Sequence, residues 1–191
     1  MTSIRSFIAI ELPPDIRDCL ERLINLLKPS AGDVRWVKAG VIHLTLKFLG
    51  DVEEGRIPAI AGCIERCVQG IAPFPLAVRG LGAFPGENSP QVIWIAAADE
   101  SGSLAAMQRS LEEGLARVGC KKERRPFSPH LTLGRLKSPR DKEAVRRGLA
   151  DLKHTDCGSF SADSVSLIKS DLKPSGPVYT VLQSFSLHTH N

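Results

Sequence analysis

The tetrapeptide His43-Leu44-Thr45-Leu46 recurs unchanged as His130-Leu131-Thr132-Leu133, and the separation (130 − 43 = 87) is close to half of the 191-residue chain. A single His-x-Thr carries no weight. Two identical copies, each in an apolar stretch, suggest two halves built alike. In an extended strand the side chains alternate, so each histidine shares a face with its threonine while the two leucines take the other. Each copy therefore reads as an amphipathic strand, with leucines toward a core and imidazole and hydroxyl toward whatever lies opposite. Two halves facing each other would bring two histidines and two threonines into one cleft.

The pattern around the repeats supports mixed α and β structure. Arg5 to Leu12 reads as a strand, and Pro13-Pro14-Asp15 opens a helix whose apolar residues Ile16, Leu20, Leu23, Ile24 and Leu27 recur at helical spacing up to Lys28. Val34 to Val37 and His43 to Leu49 read as strands, the second ended by Gly50-Asp51. A helix is expected over Glu53 to Val68, with Ile57, Ile60, Ile64 and Val68 as its stripe. Phe74 to Phe84 and Gln91 to Ala98 read as strands joined through Pro85-Gly86-Glu87-Asn88-Ser89-Pro90. Ser101 or Ser103 is expected to cap a helix running to Val118, and Pro126 and Pro129 imply an extended entry into the second repeat. Residues Asp141 to Leu152 read as a helix, and Ser159 to Ser161, Ser164 to Ser170 and Tyr179 to Leu187 as strands. Hairpin-connected strands mixed with helices favour α+β with antiparallel sheets over a doubly wound parallel sheet. No linker divides the chain, so one domain over residues 1–191, made of two similar lobes with one repeat each, is expected.

A hydrophobic fraction of 42% and a charged fraction of 24% exclude a disordered or low-complexity chain, and a net charge of +4 permits a polyanionic partner without requiring one. The five cysteines, Cys19, Cys63, Cys67, Cys120 and Cys157, are odd in number and scattered. They read as free structural thiols in a reducing compartment. Cys63 and Cys67 would share a helical face, with no second pair nearby to complete a zinc site. The apolar run at Ser6 to Ile10 is too short for a secretory leader, and Val92 to Ala98 is far too short to span a bilayer. A cytoplasmic location is expected.

Paired imidazoles suit acid–base chemistry on a phosphate. An imidazole with a reference pKa of about 6.5 gives or takes a proton near neutrality, and two can divide the work, one as acid and one as base. A threonine hydroxyl can donate to a phosphate oxygen without carrying charge. No metal is needed, and the carboxylate cluster expected of a two-metal phosphodiesterase is not apparent beside either repeat. A histidine on a strand is commonly a hydrogen-bonded structural residue; retention of the threonine in both copies favours the catalytic reading. His154, followed by Thr155-Asp156, breaks the pattern, and His188 and His190 read as surface tail.

The chain resembles the two-histidine phosphoesterase superfamily, specifically the bacterial and archaeal RNA 2′,3′-cyclic phosphodiesterases, also called 2′-5′ RNA ligases. The resemblance extends over nearly the whole chain. It rests on the opening strand from Arg5 to Pro13, on Val34-Arg35-Trp36-Val37 with the block His43 to Gly50, and on Gly80 to Pro85 and Val92 to Ile95. The most specific segment is Arg125-Pro126-Phe127-Ser128-Pro129-His130-Leu131-Thr132-Leu133-Gly134-Arg135. It implies a bilobal α+β fold in which two antiparallel sheets line a central cleft, with helices outside. It further implies His43 as proton donor to the departing ribose 3′ oxygen and His130 as proton acceptor from water, with Thr45 and Thr132 holding the non-bridging oxygens. The implied substrate is an RNA end bearing a 2′,3′-cyclic phosphate, tRNA fragments among the candidates, and the product a 2′-phosphate. The same active site would support 2′-5′ ligation, with no metal and no cofactor. A monomer is the default.

Arg135 fits a phosphate-holding residue that family members often carry after the second motif. Ideal strand parity, however, puts it on the leucine face unless a bulge at Gly134 re-aims it; otherwise it is a surface arginine. The Lys121-Lys122-Glu123-Arg124-Arg125 cluster reads either as a guide for an RNA backbone or as a solvated loop. Phe7, Phe48, Trp36 and Tyr179 read as core residues or as platforms for a base. Two other functions remain open: a phosphodiesterase for small cyclic phosphates of a nucleotide or ADP-ribose, and a non-catalytic RNA-binding module.

Overall fold

The computed structural model describes residues 2–30, 33–138, 142–174 and 176–189. The elements run β1 (Ser3–Glu11), α1 (Pro14–Leu27), β2 (Val34–Trp36), β3 (His43–Glu53), α2 (Ile57–Val68), β4 (Phe74–Phe84), β5 (Val92–Ala98), α3 (Ser103–Arg117), β6 (His130–Leu136), α4 (Lys142–Asp151), β7 (Asp156–Ala162), β8 (Ser164–Lys173) and β9 (Gly176–Ser186). The strands form two antiparallel sheets, a four-stranded one ordered β3-β1-β8-β9 and a five-stranded one ordered β2-β6-β5-β4-β7. Helices α2 and α3 pack together behind the first sheet, α2 against β9 and α3 against β3, while α1 lies against β7 of the second and touches α4. The result is the bilobal α+β fold that the alternation of hairpins and helices implies.

The helical stripes are buried as their spacing requires. Ile16, Leu20, Leu23, Ile24 and Leu27 of α1 all enter the main core, as do Ile60, Ile64 and Val68 of α2. Alternation along β1 divides its apolar residues. Ile8 and Ile10 join the main core, whereas Phe7 and Ala9 form a small second cluster with Ile168 on the opposite face of the sheet, and Tyr179 packs against it.

Four expectations need correction. Strand β3 does not stop at Gly50-Asp51 but continues to Glu53. Gly50 adopts a left-handed φ of +72° within it, beside a register shift against β1, so the glycine bends the strand rather than ending it. Gly102, not a serine, holds the N-cap position of α3, and of the two serines only Ser101 contributes a side chain, its Oγ accepting the Ser103 N–H at 3.2 Å. Asp99 completes the cap, its carboxylate accepting the backbone N–H groups of Ser101 and Leu104. Residues 54–56 form a short 3-10 turn, so α2 starts at Ile57. The cysteines are not all free: Cys19 on α1 and Cys157 on β7 form a disulfide across 138 residues, which no spacing rule reveals. The expected start of α4 at Asp141 lies outside the described residues. Cys63 and Cys67 do share a helical face, with sulfurs 4.0 Å apart, and burial pushes the Cys63 thiol up to about 11. Cys67 donates to the Ser110 carbonyl at 3.3 Å, which fits a packing role.

Candidate active site

The two repeats fall on β3 and β6, one in each sheet, and these strands approach with Cα atoms within 8 Å of each other. Their environments match residue for residue. From His43 to Leu49 and from His130 to Leu136 the burial alternates identically: histidine and threonine half-buried, leucines buried, then a buried fifth residue and an exposed sixth. The break in alternation after the fourth residue is a bulge in both copies. On β3 Lys47 pairs with Ile8 while Thr45 pairs with Ala9, leaving Leu46 unmatched. On β6 Gly134 pairs with Ile93 while Thr132 pairs with Trp94, leaving Leu133 unmatched.

This bulge answers the parity question at Arg135. An extra residue returns the sixth position to the histidine face, and Arg135 is exposed there with its charge reaching Tyr179 of the other sheet. Burial nevertheless pushes the Tyr179 phenol up, outweighing the nearby Arg5 and Arg135 charges. Gly134 is needed for close approach: a Cβ there would lie 2.7 Å from Val34 Cγ1 and 2.9 Å from the Trp36 ring. In the other copy the same positions hold Lys47 and Phe48.

Both imidazoles are oriented alike. His43 Nδ1 lies 3.0 Å from the Val41 carbonyl and His130 Nδ1 lies 2.6 Å from the Ser128 carbonyl, each two residues upstream. A carbonyl only accepts, so Nδ1 carries the proton and Nε2 is left for the cleft. Each ring is held by two aromatics of its own sheet. Phe7 stacks on His43 at 4.5 Å with Tyr179 edge-on at 5.2 Å, while Phe84 meets His130 edge-on at 4.9 Å with Trp94 tilted at 6.4 Å. Neither Thr45 nor Thr132 has a side-chain hydrogen bond among the described residues.

The electrostatics of the two rings differ. Glu11 is the cross-strand partner of His43, whereas Ala96 partners His130. The Glu11 carboxylate accepts the Ser166 hydroxyl at 3.2 Å, and Ser166 lies 3.0 Å from Ser184 Oγ. Burial pushes the His43 pKa below 6.5, against the Val41 carbonyl and the Glu11 carboxylate, which both favour the charged ring. Glu11, Phe84 and Trp94 were missed from the sequence. Only the pairing of strands brings them to the histidines, although Glu11 stands at the end of a readable strand.

Of the candidate base platforms, Phe7 is buried against His43, and Trp36 packs at Gly134. Phe48 is 65% exposed and borders a depression of about 210 Å³ with Arg5 and with Phe7 and Tyr179, the two rings that pack on His43. A larger depression of about 350 Å³ lies between α2 and β9, with His188 on its rim, and includes neither repeat. His154 sits in an exposed turn, and His190 lies outside the described residues.

Two antiparallel sheets that each present an Nδ1-anchored histidine with a threonine on the same face define a two-histidine phosphoesterase fold. The chain belongs to the 2′-5′ RNA ligase superfamily, whose model matches residues 13–174. It is 34% identical to the RNA 2′,3′-cyclic phosphodiesterase of Methanothermobacter thermautotrophicus over 184 residues, 96% of this chain and 99% of that protein. It is 36% identical to the RNA 2′,3′-cyclic phosphodiesterase of Thermus thermophilus over 194 aligned residues, 96% and 90% of the two chains. Among solved structures, E. coli LigT complexed with 3′-AMP superposes with a TM-score of 0.79 at 28% identity, covering 97% of this chain and 99% of that one. The crystal structure of a Thermus thermophilus protein gives 0.83 at 30% identity, covering 98% and 100%.

Proposed function

We propose that this chain, as a single domain of two lobes, hydrolyses 2′,3′-cyclic phosphate ends of RNA to 2′-phosphates, with the same site open to 2′-5′ ligation. The observation that carries the reading is the matched pair of imidazoles on β3 and β6, each with Nδ1 committed to a carbonyl, which leaves Nε2 for substrate, and each sharing its strand face with an unpartnered threonine hydroxyl. The full-length likeness to proteins named RNA 2′,3′-cyclic phosphodiesterase supports the substrate class.

In the proposed step His130 Nε2 takes a proton from water as its oxygen bonds to phosphorus. The bond from phosphorus to the ribose 3′ oxygen breaks, and protonated His43 gives its Nε2 proton to that oxygen. Glu11 supports this division of labour, because a carboxylate opposite His43 favours the protonated ring while Ala96 offers His130 nothing comparable. Thr45, Thr132 and Arg135 are assigned to the non-bridging phosphate oxygens, hydroxyls and guanidinium supplying donors where negative charge develops. Among the described residues no group of three or more His, Cys, Asp or Glu is placed to hold a metal ion, and both proton transfers are assigned to the imidazoles. Phe48 is assigned to the base of the terminal nucleotide, since it is exposed and packs on Phe7, which stacks on His43, and stacking is indifferent to base identity.

No described helix is long and apolar enough to cross a membrane. A monomer in the cytoplasm, where its RNA would be found, completes the reading. The Cys19–Cys157 disulfide is uncommon in that compartment outside hyperthermophiles, so the location rests on the substrate alone.

The threonine assignment is tested by Thr45→Ala and Thr132→Ala. Each is expected to lower kcat by about 10²–10³-fold, the usual loss for one transition-state donor. Wild-type rates in both variants would remove the threonines from the mechanism.

The acid assignment is tested by pH. A group whose pKa is depressed loses its proton as pH rises through the lower value, so kcat/KM, which reports the free enzyme, is expected to decline on its alkaline side from below 6.5. Bound phosphate places an anion beside the ring and raises its pKa. The alkaline limb of kcat should therefore lie at higher pH than that of kcat/KM. Coincident limbs, or rates independent of pH, would contradict His43 as the acid.

A further inference from the structure

The connection from α3 to β6 carries the cluster Lys121-Lys122-Glu123-Arg124-Arg125, and its conformation is held by an ionic network anchored on one buried lysine. Lys47, the residue after the first bulge on β3, is 5% exposed, and its Nζ lies 2.8 Å from both Glu112 carboxylate oxygens and 2.8 Å from the Lys121 carbonyl. Glu112 also accepts the Glu123 N–H at 2.6 Å. Glu123 in turn accepts the N–H groups of Arg124 and Arg125 at 2.9 and 3.3 Å, with Arg125 Nε 3.8 Å away. The two local carboxylates are thus occupied by Lys47 and by the loop backbone. Lys121, Lys122 and Arg124 are exposed and form no ion pair among the described residues.

Desolvating an ion pair costs as much as its Coulomb energy returns, so such a network is poorly explained by stability alone. What it does here is hold one loop in one shape. That loop starts behind the four-stranded sheet, at the end of a helix packed on β3, and ends at His130 in the five-stranded sheet. The six chain links from Arg124 to His130 span at most about 22 Å, a few nucleotides' distance from the reacting phosphate.

We propose that Lys121, Lys122 and Arg124 form a docking surface for the RNA backbone upstream of the reacting end, presented in fixed geometry by the Lys47–Glu112 pair. The surface takes consecutive phosphates of a single strand, without regard to base, and so favours an oligonucleotide over a cyclic mononucleotide. The inference rests on the RNA reading of the site.

The test is the triple variant Lys121→Gln/Lys122→Gln/Arg124→Gln, in which every altered side chain is exposed. Two quantities are measured against salt. One is kcat/KM on a 2′,3′-cyclic mononucleotide and on a ten-nucleotide RNA with the same end. The other is the affinity for a fluorescently labelled RNA ending in 2′-phosphate. The variant is expected to keep the wild-type rate on the mononucleotide and to lose at least tenfold on the RNA. Its slope of log affinity against log salt is expected to flatten by about 0.7 for each phosphate it no longer neutralises. Equal effects on the two substrates, or unchanged RNA affinity and slope, would overturn the docking surface. A wild-type protein that binds the labelled RNA through these residues yet hydrolyses neither substrate would refute the catalytic reading while upholding the surface.

Discussion

His43→Ala and His130→Ala are each expected to lower turnover of a 2′,3′-cyclic phosphate by about 10²–10⁴-fold, the usual contribution of a positioned acid or base. In the proposed mechanism the two rings act as a unit, so the double variant should lose little more than the worse single one; groups that work as a unit do not contribute additively. The fold should persist. Both histidines are only half-buried, and the leucines that alternate with them, not the imidazoles, fill the core. Single-turnover rates together with far-UV circular dichroism check this. Either variant retaining activity within tenfold of wild type, with a normal spectrum, would contradict a two-histidine mechanism.

Glu112→Ala is expected to destabilise the protein more than any change in the cleft. It leaves the Lys47 ammonium, only 3% exposed, facing the Lys121 carbonyl with no counter-charge. Removing one partner of a buried pair costs about 3–5 kcal/mol, which for a domain of this size lowers Tm by roughly 6–20 °C. Replacing both partners, as in Lys47→Met/Glu112→Leu, should recover most of that loss because no unpaired charge remains buried. Thermal unfolding of wild type, both single variants and the double variant gives the coupling directly. A Tm for Glu112→Ala within about 2 °C of wild type, under 1 kcal/mol for this size, would mean that the pair is solvated in solution.

The repeat and its parity were legible because a strand's alternation is local. His43, Thr45, His130 and Thr132 could be placed on shared faces from neighbouring residues alone, and the helical stripes of α1 and α2 from their spacing. Arg135 marks the boundary of that reasoning. Parity placed it on the wrong face, and the only sequence clue to the bulge was Gly134. The matching bulge on β3 carries lysine in place of glycine and gave no clue. Contacts between distant residues were invisible for a simpler reason. Lys47 and Glu112 lie 65 positions apart and Cys19 and Cys157 lie 138 apart, and no periodicity links residues that only the folded sheets bring together. Glu11 falls between these cases, since its strand was readable but its partner strand was not.

The asymmetry of the two halves is what the repeat conceals. The fifth and sixth positions after the matched His-x-Thr-x are Lys47-Phe48 in one copy and Gly134-Arg135 in the other, although both copies bulge and bury alike. One half therefore offers the cleft an aromatic ring and the other a guanidinium.

Product identification tests the two-histidine mechanism most directly. The purified protein is incubated, in excess chelator, with an RNA oligonucleotide ending in a 2′,3′-cyclic phosphate, and the new end is identified. A 2′-phosphate with a free 3′ hydroxyl is expected, because the proposed mechanism has His43 protonate the 3′ oxygen as it leaves. A 3′-phosphate, or substrate left unchanged, would contradict that mechanism.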